Sequence, residues 1–133
     1  MSADAEAWLR FASENLDAAK VCLDSALLNP CLHNTQQAVE KALKALLLLH
    51  AREMPRRTHS ITWLHNALEA RGIADGLDPE SCSLLDAVYM PSKYPLGSVL
   101  PDFQPDITIA TRCVAIAQNV VDLARADIAR ERS

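Results

Sequence analysis

The sequence predicts an all-α fold, an antiparallel up-and-down four-helix bundle with an additional short helix. Three observations predict it. Half of the residues are hydrophobic, yet only 5% are aromatic and three are glycine, with Ala and Leu dominant; both residues lose little on entering a helix. Apolar residues recur at steps of three and four through three long segments, which is the period of a helix face. No segment alternates apolar and polar residues as a half-buried strand would. A chain of 133 residues is one domain by size, taken over residues 1–133, and buries roughly two-thirds of its unfolded surface.

The first helix is expected over about residues 4–28, with Leu9, Ala12, Leu16, Ala19, Leu23 and Leu27 on one face. Asn29 and Pro30 then end it and open the second helix, Asn as N-cap and Pro at the first helical position, where its missing N–H has no partner to lose. Helix two runs over about 30–52. Leu32, Val39, Leu43, Leu46 and Leu49 form its inner face, and Leu47 and Leu48 widen it. A face that wide meets either two neighbours in the chain or one neighbour and a second subunit. Its first turns are oddly polar, with His33, Asn34, Thr35, Gln36 and Gln37 falling partly at core spacing.

A loop over 53–60 carries Pro55, with Arg52, Arg56 and Arg57 close by. Helix three spans about 60–70 with Ile61, Leu64 and Leu68 inward, and Gly72 stops it. Asp78-Pro79-Glu80 opens helix four with a cap, a proline and an acid at the positive helix end. Leu84, Leu85 and Val88 face inward, and Pro91 is expected to close the helix. Four prolines and Gly97 make residues 91–105 a stiff irregular segment, long enough to suggest a functional loop. Helix five covers about 105–130, its apolar residues from Ile107 to Ile128 repeating over three heptads.

A net charge of −4 argues against broad charge-driven nucleic-acid binding but leaves room for a small basic site. Cys22, Cys31, Cys82 and Cys113 form no C-x-x-C pair and read as buried free thiols. The acidic start, Met1 to Trp8, lacks the pattern of a signal peptide. Ala45 to Leu49, the longest apolar run, is far short of the ~20 residues of a membrane span. The expectation is a cytoplasmic protein with no membrane partner. His33, His50 and His65 stand in separate elements without ligand spacing, so no metal is expected, and no cofactor either. Tyr89 and Trp63 are expected as core anchors.

Four features in order resemble the HEPN family: Trp8; the run Gln36-Gln37-Ala38-Val39-Glu40-Lys41-Ala42-Leu43-Lys44-Ala45; Arg57-Thr58-His59-Ser60-Ile61; and Tyr89-Met90-Pro91-Ser92-Lys93-Tyr94-Pro95. The resemblance covers about residues 4–128. It implies a helical bundle, usually a homodimer with its functional groove at the dimer interface, and frequent pairing with a small nucleotidyltransferase. Many members are metal-independent ribonucleases or toxins, marked by an Arg, four to six residues, then a His at the end of the penultimate main helix. Between Ser81 and Pro105 this chain has neither Arg nor His; Lys93 and Tyr94 are the nearest counterparts. Arg52-x6-His59 fits the spacing but lies after helix two, and is read as coincidence.

RNA cleavage of this kind needs proton transfer at the 2′-OH and leaving oxygen, and charge stabilisation at phosphorus. Lys93 suits the charge, whereas Tyr94, with a pKa near ~10, is a poor base at neutral pH. Both are the catalytic candidates; Tyr94 can equally pack on the bundle end. Arg56 and Arg57 suit phosphate, or complement the negative end of helix two. His59 joins that loop and can also cap helix three. Asn34, Gln36 and Gln37 either cross a dimer interface, line a pocket beside Tyr94, or bond within the chain. The leading reading is a binding module that holds a nucleotide, RNA or partner nucleotidyltransferase in a groove of Arg56, Arg57, His59, Lys93, Tyr94, Asn34 and Gln37. The alternatives are a ribonuclease toxin with a degenerate site and a structural partner protein.

Overall fold

The computed structural model describes residues 2–52, 57–93 and 105–132, with the backbone alone at 2, 90–93 and 132. Among the described residues there are five helices and no strand: α1 (Ser2–Asp24), α2 (Leu28–Ala51), α3 (Ile61–Glu69), α4 (Pro79–Lys93) and α5 (Ile107–Arg132). Four are long and α3 is the additional short one, which agrees with the predicted fold class.

α2 is the axis of the molecule and touches each of the other four helices. Its Leu32, Val39, Leu43 and Leu46 are fully buried, and Leu47 and Leu48 nearly so. α1 lies antiparallel to it. Asn15 donates to Asn34 at 2.9 Å and accepts from Lys41 at 2.7 Å, while Ala5 at the start of α1 meets Ala45 late in α2. α5 runs alongside in the direction of α2: Asp127 meets His50 at 2.8 Å, and Arg125 reaches Ser13 of α1 at 3.0 Å. By length and composition α5 is apolar enough to cross a membrane. Here Ala110, Cys113, Ala117, Val120, Val121 and Ala124 bury its stripe in the core, as a bundle helix requires.

The Leu-rich face of α2 is therefore already covered within the chain. Of the two covers open to so wide a face, neighbours within the chain supply it: α1, α3, α4 and α5 all reach α2.

Helix ends follow local chemistry more closely than face periodicity. α1 stops at Asp24, not at residue 28, because Ala26 takes the left-handed conformation (φ 57°). Leu27 N–H bonds back to Cys22 at 2.8 Å and Ala26 N–H to Leu23 at 3.0 Å, a Schellman motif. That turn throws Leu27 outward, 54% exposed. Asn29 does not cap α2. The N-cap is Leu27, without a side-chain cap bond, and Pro30 sits in the first turn, where its lack of N–H is still harmless. Gly72 ends the α3 region as expected, with φ 72° and Ile73 N–H on Leu68 at 3.0 Å.

Pro91 does not close α4, which continues to Lys93; proline forfeits one N–H bond but its fixed φ suits a helix. At the other end Asp78 caps α4 by accepting from Ser81 N–H at 2.7 Å. That backbone bond, with the Ser81 hydroxyl, holds the Asp78 carboxyl below its usual range. α3 has two caps: Ser60 Oγ accepts from Trp63 N–H at 3.0 Å, and Asp86 of α4 accepts from Ile61 and Thr62 N–H at 2.7 and 3.1 Å. Asp86 thereby ties α3 to α4. Trp63 is no core anchor: Ile61, Leu64 and Leu68 take the inner face and leave it on the outer one, partly exposed. Ile107 is likewise exposed, at the first position of α5.

All four cysteines are free, with Cys31, Cys82 and Cys113 buried. Burial first, and then the carboxylates of Asp75, Asp86 and Asp78, push the Cys82 thiol up to about 12. Burial likewise pushes Cys113 to about 11. Near neutrality these are protonated core groups, not nucleophiles.

An alanine at positive φ stores avoidable strain. Ala26→Gly is expected to raise stability by about 1 kcal/mol, the left-handed penalty less the added freedom of the unfolded chain, measured by urea denaturation.

Candidate functional site around a buried carboxylate

Gln36, Glu40 and Lys44 stand four residues apart on α2, a polar stripe down an otherwise apolar helix, and all three are buried. Glu40 is 3% exposed. Its Oε2 accepts from Lys44 Nζ at 2.9 Å. Its Oε1 accepts from His59 Nδ1 at 2.8 Å and, more weakly, from Gln37 Nε2 at 3.4 Å. Gln36 donates to the His59 carbonyl at 2.7 Å, and Gln37 donates to Gln36 Oε1 at 2.8 Å. Lys44 also lies 5.6 Å from the Trp8 ring centroid, a cation–π distance.

The stripe fixes His59 from two directions, through its ring and through its own backbone. A carboxylate only accepts hydrogen bonds, so Nδ1 carries the proton. The His59 side chain is 61% exposed. One face of the ring rests on Tyr89 of α4, centroids 5.4 Å apart, and His33 of α2 stacks on Tyr89 at 5.8 Å. Three elements thus converge on one spot: the polar start of α2, the connection before α3, and the last turns of α4.

The predicted site residues divide accordingly. His59 and Gln37 come together here, with Gln36 beside them. Arg57 is exposed and two residues before His59. Lys93 ends α4 one turn after Tyr89, so the backbone brings it to the same end; its side chain lies outside the described residues, as do Arg56 and Tyr94. The structure does not bring Asn34 to this spot. It faces α1, bonded to Asn15 at 2.9 Å and to the Pro30 carbonyl at 2.9 Å. Of the three alternatives for the amides, Gln36 bonds within the chain, to the α2–α3 connection.

Sequence reasoning missed Glu40, Lys44, His33 and Tyr89 as members of one cluster. The signal was present in the spacing: a Gln, a Glu and a Lys at i, i+4 and i+8 through Ala and Leu is a buried stripe that needs partners. The other two histidines also sit on carboxylates. His50 Nε2 meets Asp127 at 2.8 Å, and His65 lies between Asp75 at 2.8 Å and Glu69 at 3.1 Å. Among the described residues no three His, Cys, Asp or Glu side chains converge as a metal site would.

The sequence profile described as "HEPN domain" matches residues 5–127. The chain belongs to the HEPN family. Two solved structures are similar to this HEPN chain over nearly its full length. TT1696 from Thermus thermophilus is 28% identical, with a TM-score of 0.72 over 92% of this chain and 96% of that one. ST0689, an archaeal HEPN homologue, is 25% identical, with a TM-score of 0.68 over 93% and 97% respectively. No curated protein matches the sequence. Within its HEPN bundle the chain lacks the Arg and His at the end of α4, and places a histidine against α4 from the connection ahead of α3.

The Glu40–Lys44 pair sets a stability test. Glu40→Ala strands a buried ammonium and frees His59, and is expected to cost about 3–5 kcal/mol in chemical denaturation. The double substitution Glu40→Leu/Lys44→Met removes both charges and is expected to recover most of that loss.

Proposed function

We propose that this HEPN chain is a binding module that holds the phosphate of a nucleotide or RNA in a groove at the α4 end, with Arg57, His59 and Lys93 as the contacting groups. The observation that carries the reading is the tethered imidazole: His59 is fixed by a buried carboxylate and stays largely exposed, with Arg57 in the same connection and the end of α4 alongside. Nδ1 is already given to Glu40, so Nε2 donates to a phosphate oxygen as the imidazolium, and that cation with the Arg57 guanidinium is what phosphate oxygens accept from. Gln37 belongs to the same site in this proposal; Arg56 and Tyr94 remain candidates by sequence and lie outside the described residues. A homodimer, or a small nucleotidyltransferase partner, would pack on a surface other than the Leu-rich face of α2. A cytoplasmic location accords with the reading.

Thermal unfolding with ATP tests it. At a hundredfold excess over Kd the ligand is expected to add about 2.7 kcal/mol, and Arg57→Ala or Lys93→Ala is expected to remove the gain. No shift at any nucleotide concentration would end the reading.

The His59–Glu40 pair also favours a second reading, a metal-independent ribonuclease toxin. A carboxylate on Nδ1 orients an imidazole so that Nε2 can take a proton. Nε2 would remove the 2′-OH proton. The 2′-oxygen would then bond to phosphorus, the bond to the 5′-oxygen would break, and that oxygen would take a proton from water. The products would be a 2′,3′-cyclic phosphate and a 5′-hydroxyl. Under the binding reading a defined RNA is expected to survive incubation with the protein in EDTA. Cleavage that His59→Ala abolishes would replace that reading with the nuclease.

A further inference from the structure

The inner side of α1 ends in the core, where Ala5, Ala12, Leu16 and Ala19 are buried. Its outer side carries a second repeat that the core does not use. Asp4, Ala7, Phe11, Glu14, Ala18 and Val21 follow one another at steps of three and four, which draws one line along a helix. Phe11 is 48% exposed and Val21 65%, while Ala7 and Ala18 are half-buried. Arg10 lies over the Phe11 ring, 5.7 Å from its centroid. Beside Phe11 the line borders an apolar hollow of about 260 Å³, walled by Asp4, Ala7, Trp8, Phe11 and Leu48.

An exposed apolar line with a hollow beside it is a candidate interface, and the charges along it choose among covers. The line repeats every seven residues. Asp4, Phe11 and Ala18 hold one position of the repeat and Ala7, Glu14 and Val21 the other, the two seam positions of a pair of packed helices. Parallel packing of two such helices sets Asp4 on the partner's Asp4 and Glu14 on the partner's Glu14, like charge on like. Antiparallel packing about a twofold axis between residues 12 and 13 sets each seam position against the other kind. Ala7 then meets the partner's Ala18, and these small side chains let the helices approach closely. Phe11 covers the stem of the partner's Glu14, and the partner's Val21 falls beside Asp4 and Ala7, at the hollow. Along the edge Arg10 meets the partner's Asp17, and the axis makes the same pair twice. Arg10 and Asp17 are both exposed on α1, and opposite charges flanking a seam set partner and direction.

We infer that the outer line of α1 is a self-association surface: two copies of this chain pack α1 against α1 antiparallel, and the partner's Val21 closes the hollow beside Phe11. The occupant is a second copy because the line complements itself, in charge and in side-chain size, once turned about the axis. The inference is independent of the phosphate reading. Among the described residues α1 packs on α2 and α5 and not on α3 or α4. A pair formed through α1 therefore leaves His59 and the end of α4 outside its interface, and each copy carries its site alone. That differs from the groove between subunits that the family resemblance implies.

The test is sedimentation velocity of the whole chain from micromolar to millimolar concentration, with circular dichroism of every variant to show that the helices are kept. Wild type is expected to pass from monomer to dimer within that range. Arg10→Asp and Asp17→Arg are each expected to weaken the dimer about tenfold, because each brings like charges together twice. The double variant Arg10→Asp/Asp17→Arg re-forms both pairs with the signs exchanged and is expected to recover wild-type association. Val21→Glu sets a carboxylate against the partner's Asp4 and is expected to leave a folded monomer, since this side chain already stands in solvent. Wild type that stays monomeric throughout the range would overturn the inference. So would a dimer that the single charge reversals leave unchanged, which would place association on another face. A dimer that the single reversals weaken and the double variant fails to restore would overturn the antiparallel register, and the inference with it.

Discussion

A carboxylate buried in the middle of an apolar helix must be compensated where it stands, and the groups that compensate Glu40 come from several parts of the chain. Lys44 supplies the opposite charge one turn along α2. His59 supplies a hydrogen bond from the connection ahead of α3, and Gln36 fastens that connection through its backbone. Removing such a charge from water is unfavourable by several kcal/mol unless the geometry repays it. The position of His59, just ahead of α3, is thus set by an electrostatic requirement of α2 rather than by apolar packing. Tyr89 then rests on His59, which extends the same constraint to the end of α4.

A second set of polar contacts fixes the small helix. Asp86 of α4 and Ser60 cap the start of α3, and Asp75 holds His65 near its end. A nine-residue helix has little stability by itself, and these bonds, with Ile61, Leu64 and Leu68 in the core, define where it lies. Because α3 begins directly after His59, its anchoring to α4 also bounds how far the imidazole can move from Tyr89. Structural polar contacts and the candidate site are in this sense one network, with a rigid side facing the core and an open side at the His59 ring.

The wide apolar face of α2 illustrates how one sequence pattern admits two structural answers. A helix apolar over more than one stripe has to be covered, but whether the cover is a neighbour in the chain or a second copy depends on how the remaining helices fold back. Here α1, α3, α4 and α5 all reach α2, and the Leu run becomes the core of the monomer. The polar stripe on the same helix is the complement: residues that the apolar neighbours do not satisfy are satisfied by a loop.

Local sequence determined the helices, since the three-and-four spacing of Ala and Leu leaves only one face to bury, and Asp78, Ser60 and Gly72 mark ends by side-chain or backbone chemistry of short range. It was less able to place ends set by competing effects: Ala26 adopts a left-handed turn that favours glycine, and Pro91 continues a helix that it is expected to stop. The family resemblance was legible in the order of its segments, and the absence of Arg and His from the end of α4 was legible too. The tertiary structure alone decided that His59, nineteen positions from Glu40, occupies that end of the bundle. Spacing along a chain reports which residues share a face of one helix; it does not report which loop returns to cover that face. That depends on the summed packing of all five helices, and on a buried charge that has to find its partner.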